Sequence, residues 1–142
     1  MSRWLVPPAL PARASAGLLV LRLLCGAAFM VHGWGKIQAP FGWMGPDSSM
    51  PGFFQALAAL SEFGGGLAWI LGLLTPLASF GLACTMAVAV YFHGVVLKHS
   101  FFAQSQAGSC EPAAVYLCVA LLLLLAGPGA FSLDRLLFRP KA

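Results

Sequence analysis

Apolar residues dominate four stretches of this chain, at about 15–34, 53–74, 77–98 and 112–127. Each approaches the roughly 20 residues that a helix needs to cross a hydrocarbon core. The pattern predicts four membrane-crossing helices. The fourth stretch is the shortest, and its run "LCVALLLLLAG" is the most lipid-like. Between the second and third lies "LLTP", where Pro76 suits a tight turn into a new helix. The other two connections, about 35–52 and 99–111, are longer. The tail "GPGAFSLDRLLFRPKA" leaves the fourth span at Gly127-Pro128-Gly129. There Ser132 can cap a short amphipathic helix with Asp134 near its positive end, resting on the cytoplasmic surface. Residues 1–14, with Pro7 and Pro8, read as an irregular cytoplasmic lead, and residues 15–142 as one domain. The expected fold is all-α: an integral membrane four-helix bundle with a short amphipathic C-terminal helix.

Composition supports the membrane reading. The chain has 142 residues, of which 60% are hydrophobic and only 8% charged. A soluble domain carries about a quarter charged residues, so these few could not coat a water-facing surface. The net charge of +4 raises the question of nucleic acid, but the basic residues form no dense patch, which excludes it. They read instead as orientation signals. Arg3 and Arg13 precede the first span, and Arg135, Arg139 and Lys141 follow the fourth; only Lys36 and Lys98 lie at the far ends of the spans. Both termini are therefore expected in the cytoplasm of a bacterial inner-membrane protein. The stretch "ARASA" precedes the first apolar run, unlike a signal-peptide cleavage site, which follows one. Trp4, Trp34 and Trp43 suit interfacial anchors. Cys25, Cys84 and Cys118 lie in apolar runs, where cysteine packs as a small hydrophobe, and Cys110 lies in a polar segment. No CxxC and no Cys/His zinc spacing occurs, so no metal site is expected.

One carboxylate stands out. In "LSEFGGGLAW", Glu62 opens a glycine triplet inside an apolar span. It lies roughly nine residues, or ~13 Å, from the outer end of that span. An isolated charge at such depth costs several kcal/mol, so it must pair, reach water or take up a proton. Arg22 is the expected partner, since the two Cα levels differ by only several ångströms when a ~30 Å core is assumed. In the first span Arg22, Cys25, Phe29, His32 and Lys36 form one stripe at helical spacing. In the second, Glu62, Gly65 or Gly66, and Trp69 share a face, and the glycines leave a gap below the carboxylate. Gly64, Ala68 and Gly72 form a small-residue row suited to close helix packing. In the third, Met86, Val90 and His93 align and carry His93 toward the outer end, with Lys98, His99 and Glu111 just above. The expected site is a polar pocket of His32, Lys36, Glu62, Gly65, Gly66, Trp69 and His93, open to the outer face and closed below by an Arg22–Glu62 pair. Plainer readings compete. The pair can be structural glue, His32 and Lys36 can satisfy the last carbonyls of their helix, His93 can be a packed core histidine, and His99 and Glu111 can be solvated.

The order of these pieces resembles the DoxX family of small bacterial four-helix membrane proteins. The likeness runs through "LRLLCGAAFMVHGWGK" (21–36), "SEFGGGLAWILGLLTP" (61–76), "HSFF" (99–102) and "GPGAFSLDRLL" (127–137). The outer segment "SQAGSCEPAAVYL" departs from the family by lacking a Trp-Glu-Tyr-like run. The resemblance implies the bundle and its membrane. Its members include small subunits of a thiosulfate:quinone oxidoreductase and of assemblies dealing with thiol or oxidative stress. The function it implies is a membrane subunit of a quinone-linked or thiol/sulfur oxidoreductase system. The partner would be a soluble or membrane oxidoreductase holding the redox centre, because no haem, flavin or iron–sulfur ligand set is visible here. Quinone is the cofactor such a pocket would take: His32, Lys36 and His93 could donate to its carbonyls and Glu62 could relay protons. No catalytic residue is assigned. The alternative is a membrane scaffold or assembly factor. A solute pathway through four short helices would require a homo-oligomer.

Overall fold

A computed structural model describes residues 10–102 and 108–138. It is all-helical over those residues: α1 spans Ala12–Gln38, α2 Gly52–Leu71, α3 Thr75–Tyr91, α4 Glu111–Ala126 and α5 Leu133–Phe138. A five-residue π-helical turn, Phe92–Val96, extends α3. Three helices are long and apolar enough to cross a membrane: Ala12–Gln38, Gly52–Leu71 and Thr75 to the end of the π turn at Val96. The fourth, α4, has 16 residues and the same apolar character. Large apolar side chains such as Val20, Leu24, Val31, Phe53, Leu77 and Leu125 point outward in every direction. On a soluble surface such patches would drive association; here they form the lipid-facing coat of a membrane helical bundle.

The helices begin and end where local chemistry dictates. Pro11 holds the N-cap position of α1, and the helix runs on to Gln38, just ahead of Ala39-Pro40. The first span is thus longer than the expected 15–34, residues 12–14 of the expected lead are helical, and Lys36 lies in the last helical turn. Residues 1–9, 103–107 and 139–142 lie outside the described residues, and with them Arg3, Trp4, Pro7, Pro8, Arg139 and Lys141. At the end of α2, Gly72 takes a left-handed φ of 64°. The Leu73 and Gly72 N–H groups turn back to the carbonyls of Ala68 and Trp69, the paired bonds of a Schellman stop. After Leu74, also left-handed at φ 49°, α3 starts with Pro76 in its first turn, as the "LLTP" turn predicts.

Close packing runs along glycines, only in part the expected ones. A Cβ on Gly66 would sit 2.7 Å from the Gly26 carbonyl oxygen and 2.9 Å from the Met30 nitrogen. One on Gly33 would sit 2.6 Å from the Phe63 nitrogen. The α1/α2 seam therefore needs bare backbone at 26, 33 and 66, the membrane route to tight helix contact. Gly64, assigned above to a packing row, faces elsewhere: a Cβ there would meet only Leu60 of its own helix, at 3.4 Å. Between α2 and α3, Gly65 accommodates Leu82, and the fully buried Trp69 donates its indole N–H to Ser79 Oγ at 2.9 Å. Phe29 packs edge-on against Trp69 and tilted against Tyr116 of α4, with ring centroids 5.4 and 4.8 Å away. This aromatic contact joins α1 and α4 through the core.

The C-terminal helix is tied to the bundle by its buried carboxylate. Asp134 is 1% exposed, and its carboxylate accepts the Leu74 and Thr75 N–H groups at 2.6 and 2.8 Å. It thereby caps the open N-terminus of α3, which has no side-chain cap of its own. The Asp134 N–H in turn bonds the Gly72 carbonyl at 2.8 Å. A six-residue helix drawn from a polar tail is thus docked under the bundle by its one carboxylate.

Candidate functional site

Among the described residues, two groups of buried charge sit at opposite ends of the bundle. Arg22 belongs to the end where α1 begins and α5 is docked. Its guanidinium donates to the carbonyl oxygens of Pro128 and Phe131, both at 2.7 Å, and the residue is 1% exposed. Those carbonyls face it because the chain after α4 folds back through Gly127 and Gly129, both at positive φ, and is stitched down by Ala130 N–H to Ser15 Oγ and by Ser132 Oγ–H to the Gly129 carbonyl. Ser132 also accepts the Arg135 N–H at 3.3 Å, as expected of a cap. Asp134 adds an attractive negative charge nearby.

The expected Arg22–Glu62 pair does not form. Helix register is the reason. Gly33 faces Phe63 and Gly26 faces Gly66 and Ile70, so Arg22 falls level with the end of α2. There a Cβ on Gly72 would lie 2.6 Å from Arg22 Nη1. Gly72 is ten positions beyond Glu62, or ~15 Å along the helix.

Glu62 is held instead by Lys36. Lys36 Nζ lies 2.6 Å from Glu62 Oε1, the one salt bridge among the described residues. The lysine stem reaches down from the last turn of α1, where a cation also complements the helix dipole. Its ammonium also lies 4.4 Å from the centroid of the Trp43 ring, a cation–π contact. Trp43 is fixed by Gln55, which accepts the indole N–H at its backbone carbonyl, 2.9 Å away. The Gln55 side chain, in a residue 3% exposed, accepts from Met44 N–H and donates to the Met50 carbonyl. One glutamine at the start of α2 thus folds the connection 39–51 over the ion pair.

The pair is lopsided. The Lys36 side chain is 25% exposed and that of Glu62 only 5%. Glu62 Oε2 is buried with no hydrogen-bond partner. A carboxylate oxygen left bare in a low-dielectric site is costly unless a proton, water or ligand donor meets it. It is the strongest chemical signal in the bundle.

The other expected pocket residues do not gather around it. Gly65, Gly66 and Trp69 lie inside solid helix packing, and the expected gap beside Glu62 is filled by Leu82 and by the backbone of α1. His32 is exposed on the α4 side of α1, with its ring 6.5 Å from that of Tyr116. His93 meets His99, Nδ1 to Nδ1, at 3.1 Å. Two shallow apolar grooves of about 310 and 340 Å³ lie on the outside of the bundle, one lined by Met30, Val31, Trp34 and Phe63, the other beside Leu21, Cys118 and Leu122. Trp43 and Gln55 were missed as site residues. The only signal for Gln55 was an amide at the start of an apolar run; for Trp43 there was none beyond an interfacial anchor.

The family model for DoxX, "DoxX", matches residues 17–94, which include both members of the Lys36–Glu62 pair. The chain belongs to the DoxX family. The inner membrane protein YqjF of Escherichia coli is 39% identical over 128 residues, covering 85% of this chain and 92% of its own length. An uncharacterised protein of Haemophilus influenzae is 31% identical over 123 residues, covering 86% and 91%. A Bacillus subtilis protein named "Putative oxidoreductase CatD" is 31% identical over 127 residues, covering 88% and 90%. No solved structure matches. With its apolar helices in contact with lipid, this DoxX-family chain is a multi-pass protein of the bacterial inner membrane.

Proposed function

We propose that this chain is the membrane subunit of a quinone-linked or thiol/sulfur oxidoreductase system, with Glu62 and Lys36 handling the proton that accompanies electron transfer. The observation that carries this reading is the bare Oε2 of a buried carboxylate whose other oxygen is held by Lys36. A quinol releases protons as well as electrons. Glu62 is placed to accept a proton, while Lys36, the more exposed partner, links the pair to its surroundings. The electrons pass to a partner oxidoreductase that holds the redox centre. The oxidoreductase name borne by the Bacillus subtilis relative supports the same reading. In this orientation both termini are cytoplasmic and the Lys36–Glu62 end faces outward. Reporter fusions after Lys141 and within 44–50 should then report opposite sides; the same side for both would defeat the four-span topology.

A membrane scaffold or assembly factor is the second reading. It is favoured by the closed packing at Gly65, Gly66 and Trp69, where neighbouring helices fill the face next to Glu62. Titrating the purified protein with a short-chain quinone separates the two, with quenching of Trp43 as the readout. The redox reading expects saturable binding that weakens by roughly tenfold or more in Glu62→Gln and Lys36→Met, about the loss of one charge-assisted hydrogen bond. No saturable quenching in the parent would leave the scaffold.

A further inference from the structure

We propose that His93 and His99 form a two-histidine binding site for a borderline transition-metal ion, Zn(II) or Cu(II), at the loop end of α3. Their Nδ1 atoms converge to 3.1 Å. Two metal–nitrogen bonds of about 2.0–2.1 Å place their nitrogens ~2.9 Å apart at a right angle and ~3.3 Å apart at the tetrahedral angle. The observed separation lies between these values, so the spacing of the two nitrogens suits one ion bound by both.

The backbone builds this approach. Six positions apart on a regular α-helix, two side chains point about 120° apart and ~9 Å apart along the axis. Here α3 widens into the π turn Phe92–Val96, a distortion common at functional sites. Lys98 then takes a left-handed φ of 53°, which side-chain-bearing residues rarely adopt. The reversal returns the His99 N–H to the His93 carbonyl at 2.9 Å and the His99 ring to the His93 ring, with centroids 5.2 Å apart. Gly108, at φ 93°, packs its backbone against the His99 ring, where even a Cβ would come within 3.3 Å of Nδ1. An unfavourable backbone conformation spent on bringing two imidazole nitrogens together points to a use for the pair.

In the metal-free protein one Nδ1 carries the proton and the other accepts it. A metal ion takes the place of that shared proton, and the ring that carried it holds a proton at Nε2 instead, so both imidazoles stay neutral. Imidazole nitrogen selects Zn(II), Cu(II) or Ni(II) over hard cations such as Mg(II). Among the described residues no third His, Cys, Asp or Glu completes a ligand set, so water fills the remaining positions. Cys110 is not counted as a ligand: it is buried with its Sγ against the Ser100 carbonyl at 3.8 Å.

The test uses the full chain in detergent with any affinity tag removed. Zn(II) is titrated calorimetrically, and Cu(II) is followed by electron paramagnetic resonance. One equivalent of metal per chain is expected, with a copper spectrum showing nitrogen ligation. His93→Gln and His99→Gln should each weaken binding by more than the ~10-fold that follows loss of a mere outer-shell partner, while His32→Gln leaves it unchanged. Thermal melting guards against misfolding: zinc should raise the midpoint of the parent and of His32→Gln, but not that of either pair variant. No stoichiometric binding by the parent, or binding by both pair variants equal to the parent's, would overturn the site and leave a plain hydrogen bond.

Discussion

Arg22 and Glu62 are both buried charges in apolar helices, yet they are satisfied in opposite ways. At the terminal end, Arg22 gives its two terminal nitrogens to the carbonyls of a turn built to receive them, and Asp134 spends both oxygens on backbone N–H groups. Arg22 Nε and the Thr75 hydroxyl are left without partners there. At the loop end, Glu62 keeps one lysine and one bare oxygen, under a tryptophan lid held by a single glutamine. The first arrangement is a lock: charge is used to pin backbone. The second retains an unused valence. Each end thus keeps an open valence, but at Glu62 it belongs to a carboxylate oxygen, the group that the proposed proton-handling role requires.

The largest effect that would break this comparison is expected at the lock. Arg22→Leu strands two carbonyls, and Asp134→Leu strands two N–H groups at the start of α3. Each should cost about 3–5 kcal/mol, the range for breaking a buried charged contact from one side, read as a large fall in thermal midpoint in detergent. A fall no larger than that of a lipid-facing control such as Leu125→Ala would mean that the C-terminal turn is not what holds the bundle.

Next is the seam that keeps the two ends apart. Gly66→Leu should prevent α1 and α2 from approaching and yield little folded protein, reversing the expectation that position 66 borders an open slot. Gly66→Ala should cost about 1–3 kcal/mol as overpacking, and Gly64→Ala nearly nothing, because its Cβ meets only Leu60. Equal melting shifts at 64 and 66 would contradict the register that separates Arg22 from Glu62.

The ion pair should respond asymmetrically. Lys36→Met leaves a carboxylate buried and should cost more than Glu62→Gln, which leaves a lysine able to reach water. The difference should be about 1–2 kcal/mol, and the double variant should recover part of the Lys36→Met loss. Equal single losses that simply add would show that the two side chains do not depend on each other. The smallest effect is expected at the lid: Trp43→Leu removes a cation–π contact worth about 0.5–1 kcal/mol at an exposed site. It should scarcely alter melting. If it also leaves quinone binding untouched, Trp43 is an anchor and not part of the site.

Much was legible in the sequence alone. Four apolar runs, a scarcity of charge, Pro76 after "LLT" and the glycines around Pro128 determine a four-helix membrane bundle with a tight second turn and a short final helix, because helix length, hydropathy and turn chemistry are local properties. They also single out Glu62 as the residue least explained by packing. The partner of that carboxylate could not be read in the same way. Arg22 and Lys36 share one helical stripe, and choosing between them depends on the axial register of α1 against α2. Depths counted from uncertain helix ends carry errors of several ångströms, while the bare backbone at Gly26, Gly33 and Gly66 sets the register to within one residue. Only tertiary structure also decided that Asp134 caps a helix 60 positions away, that Gln55 closes the loop over Lys36, and that a π turn and one left-handed lysine bring His93 to His99. Each of these joins residues that no helical period relates, through backbone groups that the sequence does not spell.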